Sequence, residues 1–185
     1  SSNHKNYVMG NAIKRYNFLD IQKKLDKNDA FLFVSNQKGV LVYLITKNNI
    51  QVYAYPQASK KPFLINDTIQ GLRDSIASKM SDLNSDAYLN DLDFLYRVVF
   101  QPLEKNLTNI KNLKIVTDKY FSSLPFEMLI TNGQLDENYY LIKNPKNNYD
   151  FLIKDYNISY FPSIASFVEL NKDERKLTSS SSFLG

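Results

Sequence analysis

The sequence contains no cysteine and no tryptophan, and its one histidine is His4, close to the start. Each absence removes a class of chemistry. Without a thiol, the chain can form no disulfide, thiolate nucleophile or cysteine-based zinc site. A Ser-His-Asp relay would have to take its imidazole from His4, in a polar stretch that reads as a loose tail. Glycine occurs only 5 times, so few loops can cradle phosphates. No Gly-x-Ser-x-Gly, Walker-type or dinucleotide-binding glycine pattern occurs. No apolar run approaches the ~20 residues of a membrane span, and no signal-peptide pattern opens the chain. The expectation is a cytoplasmic protein with no membrane partner. The opening Ser1-Ser2-Asn3-His4 lacks Met, which places the expected natural start upstream.

What is present is an ordinary globular balance, with 43% hydrophobic and 23% charged residues. Aromatics reach 14%, as 13 Tyr and 12 Phe, so the expected core is aromatic-rich. The net charge is +4, but the lysines are spread along the chain and mixed with Asp and Glu. No clustered basic strip argues for a phosphate backbone, so no direct nucleic-acid partner is expected. Nothing in the pattern calls for a metal or another cofactor.

The pattern divides into three parts. Residues 1–19 read as a poorly ordered or upstream linker, although a helix is expected from Asp20 to about Lys27. Within 20–110, three runs read as strands: 30–34 (AFLFV), 40–46 (VLVYLIT) and 50–55 (IQVYAY). Their separators, Asn36-Gln37-Lys38-Gly39 and Lys47-Asn48-Asn49, are short turn formers, which predicts an antiparallel meander. The middle run is apolar from Val40 to Ile45, so burial on both faces is expected; the third alternates, leaving one face for solvent. Pro56 and Pro62 bracket a loop. Asn66 or Asp67 then caps a helix to about Met80 that carries Ile69, Leu72 and Ile76. Ser85 or Asp86 caps a longer helix to about Leu107, apolar at 88, 92, 95, 99 and 103 and widened by Leu89, Tyr96 and Phe100. Pro102 kinks it or begins a new turn. Within 111–185, strand and helix patterns alternate: strands at 113–117 and 157–161, then a helix to Leu170 capped by Ser163. That alternation predicts a parallel βα layer. A polar linker at 171–180 leads to a strand just beginning at the end.

Four segments of this last part resemble those of a known family. Leu113-Lys114-Ile115-Val116-Thr117-Asp118, a short spacer and Leu124-Pro125-Phe126-Glu127-Met128-Leu129 resemble the strand, Asp, then Leu-Pro-Phe-Glu-x-Leu signature of CHAT domains. These are caspase-like domains often found after tetratricopeptide repeats. Asn157-Ile158-Ser159-Tyr160-Phe161-Pro162-Ser163 resembles the family's next strand, and Phe183-Leu184-Gly185 the opening of the following unit. With the meander and helices, the resemblance covers roughly residues 20–185.

The resemblance implies a caspase/separase-like three-layer αβα fold and membership of a family of cysteine endopeptidases. Its catalytic pair, a His in a His-Gly dipeptide and a Cys ending a later strand, stands downstream of the segments matched here. No position of this chain inherits a catalytic role, so the chain alone is expected to be inert. The implied partners are the remainder of the CHAT domain, upstream tetratricopeptide repeats or a regulatory partner, and a protein substrate. The alternative is a non-catalytic CHAT-like interaction or regulatory module.

The motif residues Asp118, Leu124, Pro125, Phe126, Glu127, Tyr160, Pro162 and Ser163 are therefore read as structural or cleft-wall positions. Pro125 fixes φ, Phe126 fills core, and Glu127 suits an early helical position; a substrate contact by Glu127 is the rival. Asp118 ends a strand of the expected parallel sheet, where functional residues of α/β proteins concentrate. Its simpler role is a turn residue bonded to backbone two residues on. Asp91 and Asp93 are two apart on a helix and do not face each other, so they make a poor carboxylate pair. Asp173-Glu174-Arg175-Lys176 reads as solvated linker or an accessible processing site. Tyr53 and Tyr55 read as one side of a packed layer, with an aromatic docking surface as the rival.

Overall fold

The computed structural model describes residues 16–36, 39–56, 65–77, 86–134, 136 and 149–170. Outside them lie His4 and the tail, the turn centre at 37–38, Pro62, Met80, Ser85, residues 139–148, everything from 171 onward, and the Tyr55 side chain. The expectations placed on those positions go with them.

The meander forms where the alternation and turns put it. Strands β1 (Asp29–Asn36), β2 (Gly39–Thr46) and β3 (Ile50–Pro56) pair antiparallel in sequence. Gly39 starts β2 at φ 135°, a backbone region that side chains disfavour. Strand β4 (Asn112–Thr117) then runs parallel to β1, and β5 (Asn157–Tyr160) parallel to β4. The sheet order is β3-β2-β1-β4-β5. One sheet therefore takes strands from both sides of residue 110, and β1 is its centre. The apolar β2 is buried on both faces, as its composition requires. In β3, Tyr53 packs on the core while Val52 stays 55% exposed.

Alternation sends the two faces of the sheet to two separate cores. Ala30, Leu32 and Val34 of β1 join Val42, Leu44, Leu113 and Ile115 under α2 (Ile65–Ala77) and α3 (Asp86–Val99). Phe31, Ile45 and Val116 face the other way, toward Ile21 of α1 (Phe18–Gln22) and Phe167 and Val168 of α4 (Ile164–Leu170). Helices thus cover both faces of a mixed sheet, which is the three-layer α/β architecture the resemblance implied. The second core is aromatic: the Phe31 and Phe167 rings lie 4.8 Å apart, and Phe161 meets Phe167 edge-on at 5.1 Å.

Three helices differ in extent from the sequence pattern. α2 begins at Ile65, so Asn66 and Asp67 lie in its first turn instead of capping it. The helix expected from Asp20 instead starts at Phe18 and ends at Gln22. Asn17 caps it, accepting from the Asp20 amide while Asp20 accepts from the Asn17 amide. It stops early because the chain must turn to bury Leu25 and enter β1. The long helix ends at Val99, and a 3-10 helix, Gln101–Asn106, carries Pro102 in its first turn. There the missing N–H has no helical partner to lose. Tyr88, Leu92, Leu95, Val99 and Leu103 are all buried, as their spacing predicts.

A side-chain ladder locks the amino ends of the parallel strands. Asn157 Nδ2 donates to Asn112 Oδ1 (3.1 Å), and Asn112 Nδ2 donates to Asp29 Oδ1 (2.8 Å). These residues are in register across β5, β4 and β1. The buried Asp29 carboxylate also meets Lys114 Nζ at 3.6 Å.

Candidate functional site

The carboxyl ends of β1, β4 and β5 share one edge of the sheet, the place where parallel α/β folds build sites. Of the eight motif residues, all except Leu124 and Phe126 reach solvent to some degree. Asp118 follows β4 directly. Its amide extends the ladder to Val34 O (3.0 Å). Its carboxylate accepts from the amides of Asn36 (2.7 Å), Tyr120 (2.9 Å) and Phe121 (3.3 Å). The Tyr120 bond is the two-residues-on turn bond that the sequence suggests. The Asn36 bond ties the end of β1 to the loop after β4, and no local pattern signals it.

The loop then sinks its apolar residues. Phe121, Leu124, Phe126 and Leu129 are buried in the larger core. Pro125 precedes a 3-10 helix, Phe126–Met128, and Glu127 is half-buried within it. The Phe126 ring stands 6.1 Å from Phe100 and 6.3 Å from Tyr160. Tyr160 closes the arrangement: its hydroxyl accepts from the Phe126 amide (3.0 Å) and donates to Glu127 Oε2. Burial raises the Tyr160 phenol pKa first, and the Glu127 carboxylate raises it further. The two family-like segments are thus joined by one hydroxyl.

Pro162 and Ser163 stand apart from this cluster, at the start of α4 on the opposite layer. Ser163 Oγ accepts from the Ser166 amide (3.1 Å), and the Ser163 amide donates to Ser166 Oγ (3.1 Å). This reciprocal cap is the role the sequence expects of Ser163.

Two arginines that sequence reasoning did not single out tie α2 and α3 to the chain that follows β4. Arg73 of α2 donates from Nε to Ser123 Oγ (2.6 Å) and from Nη2 to Lys119 O (3.0 Å) and Tyr120 O (2.7 Å). Arg97 of α3 forms a forked pair with Asp93 (2.6 and 3.2 Å) and donates to Gly133 O (2.7 Å). A signal was available: arginine is rare in this lysine-rich chain, with only four. Its rigid fork suits several fixed acceptors where lysine does not.

The carboxylates of α3 do not form a joint site. Asp93 is 1% exposed and paired with Arg97. Asp91 lies against α2 instead, with its Oδ2 3.3 Å from where a Cβ on Gly71 would stand. Burial pushes its carboxyl up to about 6. Among the described residues, no group of His, Cys, Asp and Glu could hold a metal ion, and no helix is long and apolar enough to cross a membrane.

The arrangement is well built but chemically quiet. Asp118 is occupied by three amides, and Oε2 of Glu127 by a phenol. No curated protein matches the chain. A family model described as CHAT domain matches residues 90–184, just over half of the chain. The match begins inside α3 and takes in β4, the Leu124–Leu129 segment and β5, with the Glu127–Tyr160 joint at its middle. The chain belongs to the CHAT domain family, whose fold is caspase-like.

Proposed function

We propose that this chain is the N-terminal part of a CHAT-family cysteine endopeptidase and supplies its scaffold and a wall of its substrate cleft. The observation that carries the reading is the family match across the segment where Tyr160 of β5 and Glu127 of the loop after β4 join two motif segments at the carboxyl edge of the sheet. The reaction would be peptide-bond hydrolysis through a thioester. Its thiol must come from polypeptide outside this chain, which has no cysteine. A thiol is only a few per cent ionised near neutrality, so a neighbouring imidazole must take its proton, and amide N–H groups must hold the oxyanion. Tetratricopeptide repeats on the amino-terminal side, a protein substrate and a cytoplasmic setting belong to the same reading.

A second reading is a non-catalytic CHAT-like module that binds or regulates a partner. It is favoured by the structural occupation of Asp118 and Glu127. The parent reading frame and its protein discriminate the two. A downstream His-Gly and Cys, with hydrolysis of a peptide library lost on Cys→Ala replacement, support the peptidase. Absence of either residue, or hydrolysis indifferent to the replacement, supports the binding module.

A further inference from the structure

Beside the Arg73 latch, a groove of about 300 Å³ is lined by Asp67, Ile69, Gln70, Arg73 and Tyr120. Its charges are unusual in being unpaired. Arg73 is half-buried, yet all three of its acceptors are neutral: one hydroxyl and two carbonyls. Among the described residues, no carboxylate lies within ion-pair distance of Arg73 or Lys119. A guanidinium carries five N–H groups. The latch uses Nε and Nη2, so both N–H groups of Nη1 are without a protein acceptor among the described residues.

A half-buried cation with no counter-ion favours an anion that can reach it. Lys119 adds a second positive charge, its Nζ held 5.2 Å from the centre of the Tyr120 ring. Tyr120 is 41% exposed and offers apolar area beside the two cations. Asp67 is the one acidic group among the lining residues and balances Arg73 in number, so the second positive charge comes from Lys119 beside Tyr120, outside the lining itself. The guanidinium is also immobilised before any ligand arrives, which lowers the ordering cost of binding.

We infer that this groove binds an acidic peptide segment of a partner protein, with a Glu or Asp carboxylate on Arg73 Nη1 and an apolar neighbour on Tyr120. The proposal stands apart from the peptidase reading, because it needs no catalytic segment. Asp67 opposes the ligand and sets its affinity, while Lys119 assists it.

The test uses the full-length protein and two fluorescein-labelled, end-blocked peptides, Leu-Glu-Glu-Phe and Leu-Gln-Gln-Phe, followed by fluorescence anisotropy. The Glu peptide is expected to bind about tenfold more tightly than the Gln peptide, and more weakly as salt rises. Lys119→Glu should weaken it about threefold, and Asp67→Asn should tighten it by a similar factor. Neither change removes a latch bond, so neither result can be assigned to unfolding of the loop. Equal affinity for the two peptides, no binding of either, or indifference to both substitutions would overturn the proposal. So would displacement of the Glu peptide by single-stranded oligonucleotide at lower concentration than by unlabelled Glu peptide.

Discussion

The hydroxyl of Tyr160 donates to the Glu127 carboxylate across 33 residues of chain and accepts the Phe126 amide in return. β5 and the loop after β4 are thereby fastened at one point on the carboxyl edge of the sheet. The phenol ring contributes as well, since it packs beside Phe126.

Tyr160→Phe keeps the ring and removes both bonds. Tyr160 is 48% exposed, so water can reach the orphaned groups. The expected loss is about 1 kcal/mol of stability, read as a lower urea midpoint. The double variant with Glu127→Gln should lose less than the sum of the two single losses. Strict additivity would show that the bond contributes nothing.

Arg97→Met should be more costly. It leaves the Asp93 carboxylate, with a side chain only 2% exposed, without its cation. The expected loss is about 3 kcal/mol, measured by chemical denaturation. Adding Asp93→Asn removes the stranded charge and should recover part of that loss. An unchanged double variant would mean that the charge was never the cause.

The carboxyl of Asp91 titrates at about 6 in the fold against 3.8 in the unfolded chain. The folded state therefore holds the proton more tightly. Stability from this group is present below pH 3.8 and is lost as pH rises through about 6. Asp91→Asn should flatten that slope and raise stability near neutrality by roughly 1 kcal/mol, after allowance for partial exposure. Urea unfolding on either side of the window checks it; a slope unchanged in the variant would refute it.

Alkaline pH should act through the tyrosines. Tyr88, Tyr96, Tyr156 and Tyr160 all have phenol pKa values raised above 10.0, with burial the largest cause. Glu104 adds to the shift at Tyr96, Asp155 at Tyr156, and Glu127 at Tyr160. Folding favours the neutral phenols, so their contribution is complete below pH 10.0 and falls as pH climbs toward the raised values. Near-ultraviolet absorbance should show part of the 13 tyrosines resisting ionisation until the chain unfolds. A single transition with the ordinary midpoint would contradict this.

The meander, the two long helices and the parallel strands were legible because each rests on a local period or turn. Apolar residues at 88, 92, 95, 99 and 103 can only make one helical face, and all are buried. The short α1 was misjudged because its apolar pattern continues past Gln22, while the need to bury Leu25 ends the helix. The site was half legible. Phe126, Glu127 and Asp118 are singled out by motif, whereas the contacts of Arg73 with the 119–123 loop and of Arg97 with Gly133 O join residues distant in sequence; only the Asp93–Arg97 pair has a local, four-residue spacing.

The sequence by itself determined which chemistry this chain cannot perform and which stretches form strands and helices. Residue type limits the reactive groups, and side-chain periodicity depends only on neighbours along the chain. The tertiary structure alone decided that β1 sits at the centre of the sheet, that Asp29, Asn112 and Asn157 form one ladder, and that Tyr160 meets Glu127. Those outcomes depend on parallel pairing between strands that lie far apart in sequence. A hydrogen bond between residues that meet only after the sheet assembles leaves no periodic trace.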